Sequence, residues 1–242
     1  MAKDVSWVLS GFPGASEPAR ARNIIQVTGE NGGPYAVYHD CRRLARDAAT
    51  PAALVALVAG LNNAAIGQCP HFAVHSGVVA WEHGVAAFPA VSGGGKTTLT
   101  ASLVEAGFDY VSDEALVLND DGGVFPYPKP FALSPWSAEL LGLQPGEVET
   151  LALASDLGGS DHSTTDPLTD VVIAEYAHDS VSMEPLPRSQ IIAALISMSF
   201  NHYKDPERAF RLTSKVARDA RVWRLEYDDP LRAAELVAET LR

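Results

Sequence analysis

Apolar residues crowd into short dense runs through the middle of the chain and recur at helix spacing towards its end. Phe72–Trp81 and Val85–Pro89 are almost wholly apolar, and Glu82-His83-Gly84 joins them; this is the pattern of two buried strands in a hairpin. Next comes Thr97–Glu105, with Leu99 and Leu103 four residues apart and Gly107 just beyond, which predicts a helix closed by a glycine. Tyr110–Leu118 reads as the next strand, and Asn119-Asp120-Asp121-Gly122-Gly123 as a turn back into Val124–Tyr127. Residues 142–166 are rich in Gly, Ser, Asp and Thr and read as a loop excursion, a candidate lid. Val171–Tyr176 is strand-like, and Arg188–Phe200 has the spacing of an amphipathic helix. Asp205-Pro206 caps another helix to about Arg218, with Phe210, Leu212 and Val216 on its apolar face. Arg221–Tyr227 is the last strand, and Asp229-Pro230 opens a closing helix to Arg242.

The first 68 residues follow a different pattern. Residues 1–22 carry Pro13, Gly14 and Pro18 with few periodic apolar positions and read as a loose leader. Two strand-like runs, Ile24–Val27 and Tyr35–His39, flank a glycine-rich turn and predict a hairpin. Thr50-Pro51 starts a helix with Leu54, Leu57, Val58 and Leu61 along one face. The expected organisation is a small α+β annex over residues 1–68 and a larger α/β domain over residues 69–242.

Composition narrows the class. Of the 242 residues 47% are hydrophobic and 20% charged, the balance of a globular protein large enough for one main core. A net charge of −12 argues against nucleic acid or an anionic membrane as the main partner. Cys41 and Cys69 show no metal spacing and favour a reduced, cytoplasmic setting. No uninterrupted apolar run approaches the roughly 20 residues of a membrane span, and the N-terminus lacks a signal-peptide core.

Candidate chemistry centres on Ala90-Val91-Ser92-Gly93-Gly94-Gly95-Lys96-Thr97-Thr98, between the hairpin and the predicted helix. Small residues free the backbone so that successive N–H groups converge on phosphate oxygens. The lysine carries charge to the β and γ phosphates, and the hydroxyl holds Mg²⁺. Ser92, Gly93, Gly94, Gly95, Lys96, Thr97 and Thr98 are therefore the candidate nucleotide-binding residues. The usual pattern opens with glycine, where this chain has Ala90; a positive φ there would strain it by about 1 kcal/mol. Asp113-Glu114 follows Lys96 by one helix and one strand, which sets two carboxylates beside the phosphates. Neighbours on a regular strand face opposite ways, so both reach one site only where the strand is irregular. His75 lies inside an apolar strand, where a hydrogen-bonded core histidine is the commoner case. Lys129, between Pro128 and Pro130, and Arg188, heading a predicted helix, are weaker anion candidates. Trp136, Trp223, Phe200 and Phe210 read as core or partner-groove aromatics.

His75-Ser76-Gly77-Val78-Val79, then Ser92-Gly93-Gly94-Gly95-Lys96-Thr97, then Glu105-Ala106-Gly107-Phe108-Asp109-Tyr110-Val111-Ser112-Asp113-Glu114 is similar in order and spacing to the HPr serine kinase family. The specific likeness covers residues 72–118, and it is nearer to the stand-alone HPr-kinase-related proteins than to the bifunctional kinase/phosphorylase. The resemblance implies an α/β phosphate-loop (P-loop) kinase fold of the HPr kinase/PEP carboxykinase type, with a mixed sheet, binding ATP and Mg²⁺. It gives Lys96 the β and γ phosphates, Thr97 and Glu114 the metal, Asp113 the role of base for an acceptor hydroxyl, and His75 a place near the reacting phosphate. The family usually has Asp-Asp, so Glu114 departs from it by one methylene. No counterpart of the family's glycine-rich signature linked to dephosphorylation follows the acidic pair. The expected activity is thus transfer of the γ-phosphoryl group to a hydroxyl, a serine of a protein or of a peptide such as a natural-product precursor. A small-molecule hydroxyl, or a non-catalytic ATP sensor, is the alternative. No nucleic acid or membrane is expected as partner, and the reading admits a homo-oligomer.

Overall fold

A computed structural model describes residues 1–10, 23–30, 32–90 and 95–242. The chain divides into two compact units, Met1–Gln68 with Lys129–Leu153, and Cys69–Pro128 with Ala154–Arg242. The first unit takes in residues 129–153, which the pattern of the sequence grouped with the larger domain.

In the first unit α1 (Ala2–Ser10) stands where a loose leader is expected, while residues 11–22 lie outside the described residues. Strands β1 (Ile25–Gly29), β2 (Tyr35–His39) and β3 (Arg42–Ala48) form an antiparallel sheet in that order. Helix α2 (Thr50–Gln68) buries Ala53, Leu57 and Val58 beside strand residues Ile25, Val27, Tyr35 and Val37. By length and a mean hydropathy of 1.4, α2 is the one helix among the described residues apolar enough to cross a membrane, although Asn62, Asn63 and Gln68 interrupt its apolar character. Two short strands, β9 (Phe131–Leu133) and β10 (Thr150–Ala152), with α4 (Pro135–Leu140) between them, complete this unit. The excursion over 142–166 is therefore partly ordered into β10 and a 3₁₀ turn at Ala154–Leu157.

The second unit is mixed α/β, with a mixed sheet of eight strands and helices. Its central hairpin, β4 (Phe72–Trp81) and β5 (Gly84–Pro89), is nearly all buried, as its continuous apolar run requires. Helix α3 (Lys96–Glu105) follows, then β6 (Asp109–Ser112), β7 (Ala115–Leu118) and β8 (Gly123–Phe125). After the excursion come β11 (Asp166–Tyr176), β12 (Val181–Pro185), α5 (Ile191–Ser197), α6 (Pro206–Asp219), β13 (Arg221–Tyr227) and α7 (Pro230–Leu241). The strand path is β12-β13-β11-β5-β4-β7-β8, with β6 also on β4. Strand β11 runs parallel to both β5 and β13, so all three carboxyl ends point to one edge. Helices α3 and α7 pack together, as do α5 and α6.

Two local arguments fix the frame. Asp205 and Asp229 cap α6 and α7 with side-chain bonds to Arg208 N–H and to Leu231 and Arg232 N–H, with a proline at each helix start. Asp170, fully buried on β11, is held by Arg221 at 2.9 Å and by the Trp223 indole N–H at 2.8 Å. The expected helix over 188–200 ends at Ser197, because Phe200 N–H and His75 N–H instead bond Ala73 and Met198 carbonyls along β4. Phe210 and Trp136 are exposed, at 60% and 59%, and take no part in the core.

Candidate active site at the start of helix α3

The site is built where β4, the α3 N-terminus and the break between β6 and β7 meet. Gly95 caps α3 in the left-handed conformation, at φ 77°, and as a glycine offers no side chain of its own to the helix end. The first-turn N–H groups of such a helix have no carbonyl of their own helix to bond, and its dipole adds positive potential there. Lys96 is the first helical residue and is 7% exposed, an unusual depth for an ammonium group. Thr97 follows it, half-buried, and Thr98 is buried. Ser92, Gly93 and Gly94 of the predicted loop lie outside the described residues. Ala90 is buried and is not among the described non-glycine residues at positive φ, so the missing glycine imposes no backbone strain there.

The acidic pair sits on the irregularity that its chemistry needs. β6 and β7 both pair with β4, and Asp113-Glu114 form the bend between them. Ser112 Oγ accepts from the Glu114 and Ala115 N–H groups, and Ser76 N–H bonds the Glu114 carbonyl, which locks the bend to β4. Asp113 is buried, and the Tyr110 hydroxyl donates to its Oδ1 at 2.8 Å while accepting from its N–H at 3.2 Å. One carboxylate oxygen is thereby fixed in direction.

His75 ties these parts together. Its Nε2 lies 3.9 Å from Glu114 Oε1, too far for a hydrogen bond, and its ring meets Phe200 edge-on at 5.4 Å between centroids. Burial lowers its pKa to about 4, the Lys96 charge pushes the same way, and Asp113 opposes both. The imidazole is therefore neutral at pH 7, and both the ammonium and the carboxylate are close enough to act on it. Tyr127, two residues past the end of β8, is pushed above its ordinary pKa by burial, with the Glu114 and Asp113 charges adding to the shift.

The structure thus gathers His75, Lys96, Asp113 and Glu114 in one place. Lys129 belongs to the other unit, where its ammonium donates to the Pro130 carbonyl at 3.5 Å. Arg188 serves a different end: its guanidinium donates to the Arg218 carbonyl at 2.7 Å, at the C-terminal turn of α6, where a cation is favoured. The sequence did not single out Tyr110 and Tyr127. Tyr110 had a signal, since a residue three before Asp113 can face it across a broken strand. Tyr127 had none. Among the described residues no group of three or more His, Cys, Asp and Glu forms a metal site. No protein-family model matches the chain, and no curated protein matches it.

Proposed function

We propose that the Cys69–Pro128 and Ala154–Arg242 unit is an ATP-dependent phosphotransferase of the P-loop type, of the kind the HPr-kinase resemblance implies. Its acceptor would be a hydroxyl, a protein or peptide serine first. The observation that carries this reading is a buried lysine at the first residue of a glycine-capped helix, acting on the same imidazole as a buried, tyrosine-held carboxylate. Structural frames rarely bury a lysine at the positive end of a helix, because the dipole repels it; a bound polyanion reverses that sign.

The donor set fits Mg-nucleotide. Lys96 and the first-turn N–H groups of α3 would hold the β and γ phosphates. Thr97 and Glu114 would serve Mg²⁺, which takes most of its ligands from phosphate and water and needs few from the protein. When bound, the ion neutralises charge that builds on the phosphate oxygens during transfer. Asp113, held by Tyr110, accepts the proton of the acceptor hydroxyl as that oxygen bonds to the γ-phosphorus and the bond to the β-phosphate oxygen breaks. His75, neutral, is free to donate or accept one hydrogen bond without adding charge.

Calorimetry with Mg·ATP and transfer of γ-labelled phosphate to candidate peptides test this. Wild type is expected to bind. Lys96→Met should lose binding, and Asp113→Asn should retain binding but lose transfer. Wild type that binds no Mg-nucleotide would end the proposal.

A further inference from the structure

Strand β3 lies at an edge of the first unit's sheet, paired with β2 on one side and, among the described residues, with no strand on the other. The backbone N–H and C=O groups along such an edge can pair with another extended chain. Three of its seven residues are arginine, Arg42, Arg43 and Arg46, in a chain of net charge −12. The acids that bracket the strand are already engaged: Asp40 accepts from the Ile24 N–H at 2.9 Å, and Asp47 pairs with Arg46 at 3.0 Å. Arg42 and Arg43 are exposed, and neither guanidinium has an ion pair or hydrogen bond among the described residues. The register sets Arg42 opposite His39 and Arg43 opposite Tyr38, so the two side chains lie on opposite faces of the sheet beside one stretch of edge.

We infer that β3 is a docking edge for an extended, acidic polypeptide segment, which adds to the sheet as a fourth strand. Main-chain bonds along β3 supply the pairing, and Arg42 and Arg43 select the charge. Successive residues of an added strand also alternate between faces, so the segment that meets both arginines carries two adjacent acidic residues. A second copy of this chain is a poor occupant, because β3 against β3 sets arginines near arginines and like charges across strands repel. Charged edges also keep sheets from pairing at random. That guarding role predicts that no strand binds, whereas docking predicts binding that depends on both charge and backbone. The inference concerns the first unit and stands apart from the nucleotide reading.

The experiment titrates the full chain into a fluorescent peptide, Thr-Val-Thr-Glu-Glu-Thr-Val-Thr, and follows its anisotropy at about 0.01 M and about 1 M salt. The comparison peptides carry Gln-Gln in place of Glu-Glu, or N-methyl groups along the centre, which remove the donors a strand needs. Expected are binding of the Glu-Glu peptide at low salt, its loss at high salt, and weak binding of both comparison peptides. Arg42→Gln with Arg43→Gln should weaken the Glu-Glu peptide roughly three- to thirtyfold, the size of two exposed ion pairs, and melt with wild type. The changes made in the peptide test the same contacts without altering the protein. A Glu-Glu peptide that does not bind wild type, or that binds the double variant equally well, overturns the inference. Equal binding of the N-methylated peptide also overturns it, since charge alone would then be at work. Phosphatidylserine vesicles that bind wild type while the peptide does not would assign the arginines to a membrane surface and overturn it as well.

Discussion

Gly77→Ala is the sharpest test of how the sheet positions Lys96. Gly77 lies on β4 directly under α3, and a Cβ built there would overlap Thr100 Oγ1, far inside the ordinary limit of about 3 Å. The next contacts, Thr100 Cβ at 3.5 Å and the Lys96 carbonyl at 3.9 Å, are ordinary van der Waals distances. Thr100 cannot simply turn away, because its hydroxyl donates to the Lys96 carbonyl at 2.8 Å and its branched Cβ puts a methyl where the oxygen was. Either that bond breaks or α3 rides up off β4. Overpacking of this kind costs about 1–3 kcal/mol, offset by about 0.4–1 kcal/mol from the stiffer unfolded chain. A net loss of about 1–2 kcal/mol should lower the melting temperature by roughly 2–8 °C in a chain of this size. Thr100→Ala alone should cost about 1 kcal/mol for its buried hydrogen bond. In the double variant the obstruction is gone, so the two losses should fail to add, with a coupling of about 1–2 kcal/mol in favour of the pair. Urea denaturation of the four proteins measures this. Strict additivity would refute the claim that α3 is seated on Gly77 through Thr100.

Other outcomes are equally specific. His75 has a folded pKa of about 4 against an ordinary 6.5, so the stability it contributes as a neutral ring is complete above about pH 6.5 and drains away as pH falls towards 4. By pH 5 that loss is about 2 kcal/mol, and His75→Gln should remove this part of the pH dependence; parallel wild-type and variant curves from pH 7 to 5 would contradict it. Tyr110→Phe should slow phosphoryl transfer about tenfold or more with Mg·ATP affinity kept, because it removes a hydrogen bond that orients the Asp113 carboxylate; unchanged turnover in a single-turnover assay counts against Asp113 as base. Asp170→Ala leaves the Trp223 indole N–H without its acceptor and removes the partner of the half-exposed Arg221, and should destabilise by about 1–3 kcal/mol in denaturant unfolding, without changing which nucleotide binds the surviving folded fraction.

Most of the second unit was legible because its signals are local. Continuous apolar runs set β4 and β5, Asp-Pro pairs set α6 and α7, and Gly107 at φ 92° ends α3 where a glycine was expected to. Where the sequence misled, the deciding contact was distant. The helix over 188–200 stops at Ser197 because the next residues bond β4, more than a hundred positions earlier. Phe210 fits the apolar stripe of α6 yet faces outward. Strand β3, rich in arginine, forms because β2 offers it an edge, not because its own residues favour a strand.

By itself the sequence determined the chemistry available: which residues carry charge, which spacing makes a glycine-led helix start with a lysine, and which pair of acids follows. Short-range sterics and periodicity are properties of neighbouring residues, so they can be read in order. Only the tertiary structure decided that the strand carrying Asp113-Glu114 breaks between β6 and β7, that one imidazole lies within reach of both Lys96 and Asp113, and that Tyr227, 132 positions after Gly95, ends beside it. Those are consequences of long-range pairing along β4 and of parallel register between β11 and β13, which no local pattern encodes.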